Sequence, residues 1–315
     1  MKKVFKLTAP LFANIWGGTK LKRYSKDENA ERIGESWELS FVKGSESKTE
    51  DERLVSEVFL KEDYGKNAEK FQFFPVLTKF IDAKENLSVQ VHPDDEYALK
   101  NEGQFGKTEM WYIVEAEEGA GIYLGLKRDA TIDQIKNSIS SGNLEDLLNF
   151  KEVKAGESYF IPSGTIHAIG GGVLIFEIQQ NSTLTYRLYD YMRKDKDGNY
   201  RELHVEKALK VLNPGVYESA KYETPSEENC EIIGKCEYFT AKKYTVKDKA
   251  NFYVDSDTFK GITVISGNGT LSFEDDNGKT EELKISKGES YFCPASKRKT
   301  VFTLSGDMTV ITTEV

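Results

Sequence analysis

The sequence predicts a mainly β chain of two jelly-roll β-barrels related by internal duplication, with a small helical insert in the first. Three observations carry this expectation. A seven-residue phrase recurs almost unchanged, GESYFIP at 156–162 and GESYFCP at 288–294. Short strand-like runs bounded by turn residues fill most of the chain, and helical periodicity is confined to a few brief stretches.

The repeat extends beyond the phrase itself. VKAGESYFIPSGTIHAI (153–169) faces ISKGESYFCPASKRKTVF (285–302), and each copy has a turn glycine leading into a strand that stops at proline, which cannot donate to a ladder. Upstream, WYIVEAEEGAGIYLGL (111–126) and GITVISGNGTLSFED (261–275) both read as strand, glycine-containing turn, strand. Further strands are expected at LFANIWGG, GESWELSFV, FFPVLTKFIDA, LSVQVH, GVLIFEIQQ, LTYRLYDY and TVITTEV. TIDQIKNSISSGNLEDLLNF (131–150) has helical spacing broken at Gly142, and ELHVEKALKVLN (202–213) ends at Pro214-Gly215. DDEYALKNEGQF (94–105) reads as a short helix stopping near Gly103. The polar segment 216–236 reads as a linker, so residues 1–230 and 231–315 are expected to form separate domains. Double-sheet barrels of this kind are the architecture in which cupins are classed.

Composition narrows the function. The 315 residues carry a formal charge of −9, which disfavours nucleic acid and anionic membranes as partners. A phosphorylated substrate would need basic residues concentrated at its site. Three cysteines without a CxxC pair, Cys230, Cys236 and Cys293, read as buried inert thiols. The N-terminus lacks the apolar core of a signal peptide and no run is long enough to span a membrane, so the expectation is a soluble cytoplasmic protein. The oligomeric state is left open.

Histidine is rare, with three in the chain. In SVQVHPDD (88–95), Ser88, Gln90 and His92 alternate with Val89 and Val91, so the polar three share one strand face. Such a row inside a barrel is costly unless its groups are satisfied, and a metal would satisfy them. Lys107 and Glu109 share parity in GKTEMWYIV (106–114), and His167 follows the first copy of the repeat. A barrel can bring Gln90, His92, Glu109 and His167 to one point, a donor set that suits Zn²⁺ ahead of Fe²⁺ or Mn²⁺. Each residue alone also has an ordinary reading: a hydrogen-bonded core histidine, a surface glutamate, a buried amide. The second copy is a control, since it runs SKRKT (296–300) where the first has Ile166-His167. His204 reads as a surface or packing residue.

SVQVHPDD, GKTEMWY and IPSGTIHAI together resemble the type I phosphomannose isomerases in their short bacterial form. NIWGG (14–18), GESWELS (34–40), FPVLTKFIDAKENLSVQVHPDD (74–95) and NSTLTYRLYDYMR (181–193) extend the likeness over most of the chain. The resemblance implies interconversion of mannose 6-phosphate and fructose 6-phosphate through an enediol, with one zinc ion on Gln90, His92, Glu109 and His167. It also implies a catalytic arginine at Arg187 with Lys107 beside it. Ser88, Lys107, Arg187 and Arg193 would bind the phosphate. Arg193 departs from the lysine of longer relatives, and a guanidinium keeps the charge without serving as a base. The proton-transfer base itself is not named by the sequence. The rival readings are a non-catalytic metal-containing cupin that binds a sugar or sugar phosphate, an iron oxygenase, and a purely structural zinc site.

Overall fold

The protein is described here by a computed structural model covering residues 2–194, 197–222 and 229–315. Two antiparallel sheets form the first barrel. One has six strands in the order Ser158–Ile161, Glu109–Ala116, Val173–Gln180, Val76–Ala83, Glu35–Leu39 and Leu11–Phe12. The other has five: Tyr186–Tyr189, Val89–Val91, His167–Ile169, Gly121–Leu126 and Leu148–Glu152.

Both sheets are covered on their outer faces, which explains their apolar sequences. Phe80, Met110, Tyr112, Phe176 and Ile178 point out of the six-stranded sheet into a core shared with Phe239, Phe259, Phe292 and Ile311 of the C-terminal region. Val89, Val91, Ala168, Tyr186 and Leu188 point out of the five-stranded sheet onto Ile135, Leu144, Ala208 and Leu212. Those last four come from the helical segments, so the insert serves as the outer cover of this sheet. Fully burying each large apolar side chain contributes about 1.5–3 kcal/mol. The strands Val76–Ala83 and Val173–Gln180 are consequently buried at every position.

The insert departs from its expected form. Thr131 and Gln134 cap an α-helix at Ile132–Ser140 by reciprocal bonds of 3.2 and 2.8 Å. After Gly142, however, only one 3₁₀ turn follows, Leu144–Leu147, and Leu148–Glu152 becomes a strand against Gly121–Leu126. A helical fragment this short is not stable alone, and strand pairing satisfies its backbone instead. Further α-helices form at Val55–Val58, at Asp95–Glu102, ending at Gly103, and at Val205–Val211.

The third sheet has nine strands, dominated by Lys260–Glu274 and Thr300–Glu314, each 15 residues long and paired along most of their length. The strand–turn–strand expected at 261–275 is therefore corrected: this segment is one continuous strand with a bulge between Val264 and Ser266. Gly267 makes this possible at φ +73, where an added Cβ would lie 2.0 Å from the Asp307 carbonyl oxygen. In the first barrel the matching segments, Glu109–Ala116 and Gly121–Leu126, go to different sheets.

The two repeat phrases fold alike down to single hydrogen bonds. Glu157 accepts from Lys154 N–H at 2.9 Å and from Tyr159 O–H at 2.8 Å. Glu289 accepts from Ser286 N–H at 2.8 Å and from Tyr291 O–H at 2.7 Å. Gly156 and Gly288, both at positive φ, donate to the Ile113 and Val264 carbonyls at 2.8 Å.

Chain ends and linker tie the halves together. Phe5–Thr8 pairs with Ser290–Cys293, so the N-terminal strand belongs to the nine-stranded sheet. Within the segment read as a linker, 216–236, Cys230–Lys235 is a strand and residues 223–228 lie outside the described residues. Cys236 and Cys293 are free thiols, and burial pushes both up. Among the described residues, no helix is long and apolar enough to cross a membrane.

Candidate metal centre and its cavity

The period-two alternation of the strands places the site between the two sheets of the first barrel. On the five-stranded sheet, Gln90 stands directly opposite His167 on one neighbour and Arg187 on the other, so three polar side chains form a row. On the six-stranded sheet, Glu177 faces Lys79 across one ladder and Trp111 across the other, and Gln179 faces Glu109. Apolar side chains from this face, Ile81, Ile113, Val173 and Ile175, meet Ile122 of the five-stranded sheet and fill the barrel. Polar groups are thus confined to one end of an otherwise hydrophobic interior.

His92, Glu109 and His167 converge there. Each is at most 1% exposed, and their donor atoms lie within 4.8 Å of one another. His92 Nε2 is 3.5 Å from Glu109 Oε2, and His167 Nε2 is 3.3 Å from Oε1. The Thr165 carbonyl, 2.8 Å from His167 Nδ1, can only accept, so Nδ1 carries the proton and Nε2 presents a lone pair. Gln90 reaches His167 Nε2 at 3.3 Å through its amide, and rotating that amide presents oxygen in place of nitrogen. Burial holds His167 down at about 4 and His92 well below its usual value, with Lys107 adding to both. Burial, and then Glu177, pushes Glu109 up to about 7. Two neutral imidazoles and a buried carboxylate make a donor set suited to a divalent cation.

A charged network surrounds the cluster. Lys107 Nζ lies 2.5 Å from Glu109 Oε2, 3.2 Å from His92 Nε2 and 3.4 Å from Glu177. Lys79 lies 3.1 Å from Glu177 and 3.4 Å from Glu35, and Trp111 Nε1–H donates to Glu177 at 2.8 Å. Burial would raise Glu177, but Lys107 and Lys79 outweigh it and hold it at about 2. With Glu109 ionised, the three carboxylates and two ammoniums leave this network one negative charge in excess. A bound dication would make it positive, and so receptive to an anion.

In front of the cluster lies a cavity of about 110 Å³ bordered by Ser88, Gln90, Lys107, Arg187 and Arg201, with Asn14, Lys79 and Glu177. The structure therefore brings together Ser88, Gln90, His92, Lys107, Glu109, His167 and Arg187. Arg193 does not border the cavity: its guanidinium is 2.5 Å from Asp190 and 2.5 Å from the Asn86 carbonyl. Lys79, Glu177 and Arg201 escaped the sequence reading. For the first two a signal existed, a charged residue in the middle of each of the largely apolar runs VLTKFIDA and VLIFEIQQ. His204 does more than pack. Its Nδ1 accepts from Arg187 N–H at 3.3 Å and its N–H donates to the Arg187 carbonyl at 2.8 Å, clipping the Arg187 strand in place.

Known proteins resemble this chain in sequence and fold. Residues 4–119 match the family described as phosphomannose isomerase type I, catalytic domain, and residues 230–315 match the mannose-6-phosphate isomerase cupin domain. A mannose-6-phosphate isomerase of Streptococcus mutans is 34% identical over 313 residues, covering 97% of this chain and 96% of that protein. One from Bacillus subtilis is 36% identical over 278 residues, covering 84% and 88%. A crystal structure of the Bacillus subtilis mannose 6-phosphate isomerase superposes with a TM-score of 0.89 over 100% of both chains, at 33% identity. The mainly β cupin architecture and the relatives agree: this chain belongs to the type I phosphomannose isomerase family.

Proposed function

We infer that the chain is a mannose-6-phosphate isomerase, interconverting mannose 6-phosphate and fructose 6-phosphate through an enediol. The observation that carries this reading is the row His167–Gln90–Arg187, which joins a dication-suited cluster to a guanidinium across one small cavity. We propose Zn²⁺ as the ion and Gln90, His92, Glu109 and His167 as its ligands, with the Gln90 amide turned to offer its oxygen. When bound, zinc supplies Lewis-acid polarisation of the sugar oxygens on which negative charge develops.

The remaining roles follow from the chain's own groups. Lys107 Nζ, poised between Glu109 and Glu177, holds a proton at the cavity wall and can return one to the enediol, while Glu177 stabilises its ammonium form. Arg187 stabilises the enediolate or the phosphate. Ser88, with Lys107 and Arg187, binds the phosphate, and Arg193 reinforces the positive field from behind Asp190. The buried apolar wall beyond the cluster excludes bulk water, which strengthens each of these interactions. In the same reading residues 1–230 are the catalytic unit, 231–315 a metal-free second domain, and the enzyme works in the cytoplasm.

Metal quantification paired with a coupled assay for fructose 6-phosphate tests the proposal. Stoichiometric zinc and chelator-sensitive turnover are expected. Sugar-phosphate binding without turnover in zinc-loaded protein would favour a non-catalytic cupin, and iron in place of zinc would overturn the metal assignment.

A further inference from the structure

Three guanidinium groups gather beside the cavity around a single buried carboxylate. Asp190, 5% exposed, accepts from Arg201 Nε–H at 2.6 Å, from a second Arg201 nitrogen, and from Arg193 at 2.5 Å. The turn that brings Arg193 back onto Asp190 holds Tyr191 and Met192 at φ 56 and 54, a conformation non-glycine residues rarely adopt. Asp190 occupies one edge of the Arg201 fork, Nε and Nη2, and leaves the Nη1 edge for another acceptor. Arg201 borders the cavity and Arg193 does not. Arg187 borders it as well, and its buried Nε–H has no hydrogen-bond partner. Two guanidiniums held close at one cavity, one with an unmet donor, call for an anion with several acceptor oxygens.

We propose that Arg201, with Arg187, clamps the phosphate of the sugar phosphate, and that Asp190 is a positioning residue that aims the Arg201 guanidinium at the cavity. This rests on the isomerase reading and deepens it. Arg193 then acts on the phosphate only through Asp190, by filling the carboxylate's other side. A phosphate monoester dianion matches the clamp in charge and in acceptor geometry; an uncharged sugar does not.

The test uses zinc-loaded full-length protein. Kinetics with mannose 6-phosphate and calorimetric titration with inorganic phosphate are compared for wild type, Arg201→Gln, Arg201→Lys and Asp190→Asn. Arg201→Gln should raise both KM and the phosphate dissociation constant by about 10–100-fold while kcat stays within about threefold, since a binding contact is lost. Arg201→Lys should recover part of the loss. Asp190→Asn should raise KM by a smaller factor and add little when combined with Arg201→Gln. If Asp190→Asn does not fold, the two Arg201 variants decide the matter. A folded Arg201→Gln protein with unchanged KM and unchanged phosphate binding overturns the clamp, as does a fall in kcat alone. If wild type turns over no mannose 6-phosphate yet phosphate binding depends on Arg201, the isomerase reading fails and the clamp stands.

Discussion

In the first barrel, Glu109 lies four residues before Ile113; in the second, Lys260 lies four before Val264. Ile113 and Val264 hold the same station, each bonded to a repeat-phrase glycine and glutamate. His167 follows Pro162 by five positions and Lys299 follows Pro294 by five. Two ligand stations in one barrel are thus lysines in the other. Lys260 is ion-paired with Glu314 across the ladder that Glu109 and Gln179 share in the first barrel, and Lys242 approaches Glu314 at 3.3 Å. Lys299 lies 3.7 Å from the centre of the Tyr253 ring. The second interior is then closed by Tyr244, Tyr291 and the stacked pair Phe252–Phe302, 5.3 Å apart. Equivalent scaffolds carry either neutral imidazoles converging beside a cavity or an aromatic core edged by lysine–glutamate pairs. Burying charge is tolerable in both, but the first turns imidazole nitrogens and a carboxylate towards one point.

This contrast can be broken most directly at the histidines. His167→Ala or His92→Ala should remove bound metal and lower turnover by at least about a thousandfold, while far-UV circular dichroism is retained. A variant that keeps its metal would refute the assigned cluster. Next come the buried ion pairs. Glu177→Gln takes one charged partner from both Lys79 and Lys107, and Glu314→Gln takes one from both Lys260 and Lys242; each should cost about 1.5–3 kcal/mol in chemical denaturation. Glu177→Gln alone should also depress turnover, since Glu177 borders the cavity at the metal cluster and Glu314 does not.

The histidines also set a pH dependence. His167 is held at about 4 in the fold, against an ordinary value of 6.5, so the unfolded chain takes up its proton first as pH falls. His92 is lowered as well. Glu109, held up at about 7, works in the opposite sense and offsets one of the two histidines. Metal-stripped protein should therefore show a net but reduced loss of stability as pH drops from about 6.5 towards about 4, visible as a falling melting temperature. Loading with zinc should oppose the loss by binding the neutral imidazoles. The smallest effects are expected where the halves agree. Tyr159→Phe and Tyr291→Phe each delete one bond to the repeat glutamate and should each cost about 1 kcal/mol. Unequal costs would show that the matched geometry is not matched in energy.

Much of the site was legible because it depends on local rules. Alternation alone put Gln90 and His92 on one face, and the apolar partners Val89 and Val91 are indeed buried on the other. The missing histidine in the second repeat marked which barrel holds the cluster. Arg201 was illegible, since nothing in NYRELH distinguishes it from a solvent-exposed arginine; its role depends on Asp190, eleven positions earlier. The insert was half legible, because apolar spacing in a short window fits a helix turn and an edge strand equally well.

What the sequence determined by itself was side-chain parity, turn positions and the repeat, all set by backbone geometry over a few residues. Only the tertiary structure decided which charges meet. Lys107 lies between Glu109 and Glu177 because the strand carrying Glu177 pairs beside the strand that Glu109 begins, with Gln179 opposite Glu109. In a low-dielectric interior, differences of an ångström in such distances fix protonation and net charge, and no local pattern encodes them.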